Sequence, residues 1–159
     1  MSRNYIPILL VLSLTSALES CAPKKAGIPE IAANSATTVS RTTATDINGA
    51  TITLTPSSDV RVQVTAIFDV VATTYAVGSV FVGELVVNGI AQPSGASAAA
   101  VFDPGGTKLR VTVPQVWTLM LSGGASYTLK LTGRVNVASS IYNVAATHTR
   151  FSIVPAGGF

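Results

Sequence analysis

The feature that most constrains the fold is an alternation of apolar and polar residues along residues 59–68, DVRVQVTAIF, interrupted only by the apolar Ile67. Every second residue from Val60 to Phe68 is apolar, and polar residues at Arg61, Gln63 and Thr65 separate them. Successive side chains of a β-strand point to opposite faces, whereas a helix repeats every 3.6 residues. The segment is therefore predicted to be a half-buried strand with one apolar face.

The same alternation recurs along much of the chain, in 49–55, 108–113, 127–132 and 148–154. The residues predicted to face the core in these segments are Ile52 and Leu54, then Leu109, Val111 and Val113, then Tyr127, Leu129 and Leu131, and finally Phe151 and Ile153. Residues 79–87, SVFVGELVV, add a further apolar strand.

Turn-forming residues separate these segments. Asn88-Gly89 is a strong hairpin signal, because both positions of a tight two-residue turn need positive φ. Residues 103–106, DPGG, and 122–125, SGGA, have the composition of turns. Pro114 interrupts a strand pattern and has no N–H to donate, which predicts an edge strand, a bulge or the start of a strand.

Composition supports an all-β protein. Hydrophobic residues make up 48% of the 159-residue chain, enough for a core, and charged residues only 11%. Its short Ala-rich runs are flanked by turn formers, so no long helix is predicted. These patterns predict an antiparallel β-sandwich or jelly roll of about eight strands.

The sequence predicts three parts. Residues 1–21 form a hydrophobic leader that resembles a signal peptide, residues 22–36 a flexible tether without periodicity, and residues 37–159 the β-sandwich. The apolar stretch of the leader is too short to span a bilayer comfortably.

The leader ends in Leu-Glu-Ser-Cys, which resembles the lipobox of bacterial lipoproteins, with Cys21 as the acylated residue. Glu19 departs from that pattern, since its position is usually small and uncharged. Cys21 is thus a lipidation candidate. The alternatives are an uncleaved hydrophobic leader and a start codon chosen too far upstream.

Histidine and cysteine chemistry is sparse. With one Cys and one His, the chain has no intramolecular disulfide and no zinc site of Cys and His ligands. His148 is read as an ordinary surface or half-buried residue rather than a catalytic base. The basic residues of the domain are scattered, so no nucleic-acid partner is predicted.

The acidic residues give no clear active site. Asp46, Asp59 and Asp103 adjoin turn formers, where Asp stabilises turns. Asp69 and Glu84 lie in strand-like segments and are the pair that would have to meet for glycoside hydrolysis. We predict no catalytic, cofactor-binding or metal-binding residues, no cofactor, and no enzymatic activity.

Trp117 is the only Trp in the chain. It is predicted to anchor the core or a subunit interface, with exposed ligand stacking as the alternative.

A family resemblance emerges over residues 79–136, which run through SVFVGELVVNG, AVFD, VTVPQVW and LSGGASYTLKL. This order of a Val-Asn-Gly hairpin followed by a Gly-x-Tyr-x-Leu-x-Leu strand resembles the jelly-roll modules of bacteriophage tail and fibre proteins, which are similar to the C1q and tumour-necrosis-factor folds. The resemblance covers about 100 residues, from about 50 to 154. It implies a trimeric sandwich in a virion that binds a host-surface glycan or protein without catalysis.

Several apolar residues have the wrong parity for the predicted inward face, which favours a subunit interface or bulges at these positions. They are Ile67, Val71, Val116 and Leu119. A phage-derived trimer is the leading hypothesis. The alternatives are an exported or secreted envelope lipoprotein, held at the membrane only through its N-terminus, and a secreted carbohydrate-active enzyme.

Overall fold

The protein folds as two antiparallel β-sheets packed face to face. A computed structural model describes residues 29–74, 76, 78–93, 98–100, 110–137 and 140–156. Within these residues the chain forms strands, turns and loops, and no helix long and apolar enough to cross a membrane is found among them. The predicted leader and Cys21 lie outside the described residues.

Eleven strands lie in the described part of the chain. They are β1 (Glu30–Ala32), β2 (Thr37–Val39), β3 (Thr45–Leu54), β4 (Val60–Thr74), β5 (Val80–Val87), β6 (Ile90–Ala91), β7 (Ala98–Ala100), β8 (Arg110–Leu121), β9 (Tyr127–Val135), β10 (Ile141–Val144) and β11 (Arg150–Pro155).

Three pairs of short strands behave as single interrupted strands. Strands β11 and β10 follow each other along one edge of β4, while β8 pairs with its other edge. Strands β1 and β2 lie alongside β11 and β10, which completes sheet I. Sheet II has the order β3–β9–β5, with β6 and β7 end to end on the far edge of β5.

Counting each interrupted pair once gives eight long strands with nested pairing. The first pairs with the eighth (β1 and β2 with β10 and β11), the second with the seventh (β3 with β9), the third with the sixth (β4 with β8), and the fourth with the fifth (β5 with β6 and β7). A long hairpin rolled into two sheets in this way is a jelly roll. The predicted fold class is confirmed.

The alternation in β4 sets the core. Its inward residues from Val62 to Val70 are buried, and Phe68 packs edge-to-face on Phe81 of sheet II with ring centroids 5.7 Å apart. The Phe68 ring lies against Gly83, where a Cβ would come within 2.6 Å of the ring. A glycine in the middle of β5 thus lets the two sheets approach closely.

The predicted hairpin and edge strand are both present. Asn88 and Gly89 have φ of 49° and 84°, and the turn joins β5 to β6. Pro114 lies within β8, which among the described residues pairs only with β4 and is therefore an edge strand. An edge tolerates the missing N–H of proline.

Two predictions need correction. Leu119 points inward, because it shares the parity of Trp117 and Leu121, and it packs against the core. The described part of the predicted tether is ordered, since Glu30–Ala32 pair with β11 and Ala33 is buried. Strand β1 has only three residues, too few to show an alternating pattern.

Candidate functional site

The candidate site is centred on Asp69, at the interruption between β10 and β11. Strand alternation places Asp69 on the outer face of sheet I, yet its side chain is only 2% exposed. Its main-chain N–H donates to the Thr149 hydroxyl at 3.0 Å, and its carbonyl accepts from the Ala145 N–H at 2.7 Å. Residues 145–149 therefore satisfy the backbone of Asp69 where a regular strand would have paired with it.

Arg110 holds the Asp69 carboxylate. It lies in β8 opposite Val71, so its side chain reaches Asp69 across one strand spacing. The Arg110 Nε donates to Asp69 Oδ1 at 2.7 Å, and Nη2 donates to Oδ2. This two-point contact is the strong form of an arginine–carboxylate pair, because both oxygens receive charge-assisted hydrogen bonds.

The pair changes the protonation of both partners. The hydrogen bonds from Arg110 lower the pKa of Asp69. Burial opposes that shift, and the positive charges of Arg110 and His148 reinforce it. The bond to Asp69 in turn raises the pKa of Arg110 above its ordinary value. Asp69 is therefore an anion at neutral pH and serves as a fixed anchor for the guanidinium.

Two further side chains border the pair. His148 lies in the turn that leads into β11, and its Nδ1 is 3.5 Å from Asp69 Oδ2, while 60% of its side chain is exposed. Arg150, at the start of β11, forms an ion pair with Glu30 of β1, with its Nε 3.2 Å from Glu30 Oε1.

Together these side chains surround an open depression of about 450 Å³ on the outer face of sheet I. It is lined by Ile67, Asp69, Arg110, Thr112, His148 and Arg150. A second depression of about 260 Å³ shares Ile67 and Arg150 with it and extends toward Glu30. The part of sheet I that carries these two depressions is thus a concave surface lined by charged side chains.

Toward its other end, β8 presents apolar side chains on the same face. Val116 and Met120 point outward and are 51% and 69% exposed. The neighbouring part of β4 is polar, because Arg61 lies opposite Met120 and Thr65 opposite Val116. The outward residues of β8 therefore change from Arg110 and Thr112 at one end to Val116 and Met120 at the other.

The acid pair proposed for glycoside hydrolysis does not form. Asp69 is on the outer face of sheet I, whereas Glu84 alternates with the core residue Leu85 and points out of sheet II, where Arg134 Nε donates to it at 2.9 Å. The two carboxylates thus face opposite sides of the sandwich.

Trp117 is 3% exposed and belongs to the core cluster, so no ring face is open for a ligand to stack on. Asp46 lies in β3, where Lys130 Nζ donates to it, and not in a turn. Asp59 accepts from the Gly123 N–H, which ties together two turns at one end of the sandwich. Asp103 lies outside the described residues.

Sequence reasoning missed Arg110, Thr112 and Arg150 as site residues. Each is one polar residue within an alternating strand, and nothing in its local pattern distinguishes it from a solvated face. The informative signal was Asp69, a charged residue beside the apolar run of β4, but its partner depends on the register between β4 and β8.

Comparison of the chain with protein-family models found no match, and neither did comparison with curated proteins. Among the described residues, no group of three or more His, Cys, Asp or Glu side chains is arranged to hold a metal ion.

Proposed function

We propose that this protein is a non-enzymatic structural module that assembles as a homotrimer and displays a binding surface, as a tail, fibre or decoration component of a phage virion. The jelly-roll pairing and the resemblance of residues 79–136 to phage tail and fibre modules support this proposal. The observation that carries it is the exposed apolar end of β8.

Assembly through β8 follows from its position. An edge strand presents unpaired backbone groups on one side, and proteins normally protect such edges with charge or cover them. Beyond Pro114, the outward residues of β8 are Val116, Thr118 and Met120, and none of them is charged. Covering Val116 and Met120 in a subunit interface removes apolar surface from water, which favours association.

The test is sedimentation velocity or native mass spectrometry of the wild-type chain and of Met120→Lys. We expect a trimer for the wild type and at least about tenfold weaker association for the variant, because a lysine charge would be buried at the interface. Ile90→Lys is a matched control, since Ile90 is equally exposed at 69% but lies at the hairpin of sheet II.

A monomeric wild type would contradict the proposal. So would a trimer that Met120→Lys leaves intact, because assembly would then use another surface.

The alternative function is an exported envelope lipoprotein anchored through Cys21, with the sandwich used for adhesion or scaffolding. The Leu-Glu-Ser-Cys sequence at residues 18–21 favours it. Intact mass of the native protein separates the two functions. A chain that begins at an acylated Cys21, with acylation lost in Cys21→Ala, supports the lipoprotein, and a longer unacylated chain supports the virion component.

A further inference from the structure

We infer that the depression beside Asp69 is a binding site for a carboxylate-bearing sugar, recognised by Arg110 and Arg150. This inference rests on the surface-binding part of the proposed function, but it does not depend on trimerisation.

First, both guanidinium groups are paired with a carboxylate, Arg110 through two hydrogen bonds to a buried partner and Arg150 through an exposed ion pair. Arg110 uses Nε and Nη2 to bind Asp69, and Arg150 uses Nε to bind Glu30. Each guanidinium has five N–H donors, so both retain donors for a ligand. An arginine held by a neighbouring carboxylate loses less rotamer freedom when a ligand binds, which favours affinity.

The second step is the separation of the two arginines. Arg110 is opposite Val71 on one side of β4, and Arg150 is opposite Ile67 on the other. Strand spacing and rise place their Cα atoms roughly 16 Å apart. Both residues line the same depression, so a small ligand bound there lies between the strands that carry them, and Arg150 also lines the adjoining depression that contains Glu30.

The third step is charge. Asp69 lies between the arginines and would repel an anion if it were unpaired. Both of its oxygens accept hydrogen bonds from Arg110, so this pair carries no net charge, and Arg150 is balanced by Glu30 in the same way. Recognition of a carboxylate therefore relies on the unused guanidinium N–H donors and not on a net positive charge. Asp69 is therefore a positioning residue for Arg110 and not a ligand contact.

The fourth step is the character of the ligand body. The described lining contains one apolar side chain, Ile67, together with the Thr112 hydroxyl and the exposed His148 ring. An open depression of this kind buries little apolar area, so it favours a ligand that remains hydrated and forms hydrogen bonds. A sugar acid combines a carboxylate for the guanidiniums with hydroxyl groups for the rest of the surface.

The experiment is an NMR titration of the full-length chain with glucuronate, with glucose as the neutral control. We expect saturable shifts of the Arg110, Thr112 and Arg150 amides with glucuronate, at a Kd of about 1–10 mM, and none with glucose. Arg150→Ala is expected to weaken binding at least about tenfold. Arg134→Ala, which removes a paired arginine of sheet II, is expected to leave it unchanged.

Four outcomes overturn the inference. They are no saturable shift with glucuronate, equal binding of glucose, equal or tighter binding of sulfate, and equal or tighter binding of N-acetylglutamate amide, a mimic of an acidic peptide. The oligomeric state of the same samples is measured in parallel. Lost glucuronate binding in an intact trimer then counts against the sugar site alone, and a monomer that binds glucuronate counts against assembly alone.

Discussion

Among the described residues four ion pairs join neighbouring strands, and the surroundings of two of them, Asp69–Arg110 in sheet I and Asp46–Lys130 in sheet II, differ greatly. Asp46 is 63% exposed and accepts from Lys130 Nζ at 2.7 Å. Asp69 is 2% exposed and accepts two hydrogen bonds from Arg110. The same kind of cross-strand contact is an ordinary surface pair in one sheet and a buried anchor in the other.

The difference comes from the neighbouring strand. Opposite Asp69 the β10–β11 strand is interrupted, and residues 145–149 turn outward and carry His148 over the carboxylate. Asp46 also lies beside a register shift, between Asp46 and Thr51 of its own strand, but its side chain stays 63% exposed. An interruption in one strand can therefore convert a sheet-surface carboxylate into a shielded group that positions an arginine.

The largest expected effect is the loss of stability in Asp69→Ala, compared with Asp46→Ala. Asp69→Ala should lower the free energy of unfolding by about 1.5–3 kcal/mol, which is the range for hydrogen bonds to charged groups. We expect a value near the lower end of this range, because Arg110 remains solvated. Asp46→Ala should change it by less than about 0.5 kcal/mol, since exposed pairs contribute little. Urea denaturation of both variants measures the difference, and equal losses would break the comparison.

A second effect concerns the backbone of Asp69. Thr149→Val removes the hydroxyl that accepts the buried Asp69 N–H while keeping the side-chain volume, and should lower the free energy of unfolding by about 1–2 kcal/mol. Thr53→Val is the control, because the Thr53 hydroxyl pairs with Thr128 in an exposed position, and should change stability by less than about 0.5 kcal/mol. If Thr149→Val leaves the free energy of unfolding unchanged, the interruption between β10 and β11 does not depend on this hydrogen bond.

Acid should remove the stabilisation that the ionised Asp69 provides. The pKa of Asp69 in the folded state lies below its unfolded value of about 3.9, so the stabilisation from its ionised form is present above about pH 4 and is lost as pH falls further. The stability difference between wild type and Asp69→Asn should stay constant from pH 7 to about pH 5 and shrink below about pH 4. At about pH 2.5, roughly one unit below the unfolded-state pKa, the stability difference should be clearly smaller. A difference that is unchanged there would contradict the lowered pKa of Asp69.

The smallest expected effect is that of His148→Gln. His148 is 3.5 Å from Asp69 and mostly exposed, so its loss should change the free energy of unfolding by less than about 0.5 kcal/mol. A loss as large as that of Asp69→Ala would assign the anchoring role to His148 instead of Arg110.

The architecture was predictable because alternation and turn chemistry are local signals. The pattern from Val60 to Phe68 identified β4 and Asn88-Gly89 identified the hairpin, while Pro114 left an edge, a bulge and a strand start open, of which the edge is observed. The site was not predictable because it depends on register. Asp69 and Arg110 are 41 residues apart in the chain, and only the pairing of β4 with β8 brings them together.

Short strands also escaped the sequence reasoning. Strand β1 has three residues, too few for a visible period, and it is held by pairing with β11 rather than by its own pattern. Leu119 was misassigned, since β8 continues through Pro114 without a register shift and Leu119 keeps the inward parity of Trp117 and Leu121.

The most direct test of this account is a pair of double-mutant cycles, one for Asp69 and Arg110 and one for Asp46 and Lys130. Each cycle isolates the coupling free energy between its two side chains from the other effects of the substitutions. The account predicts a clearly larger stabilising coupling for Asp69–Arg110 than for Asp46–Lys130. Equal couplings, or a larger one for Asp46–Lys130, would contradict the claim that the interrupted strand creates an anchored arginine site.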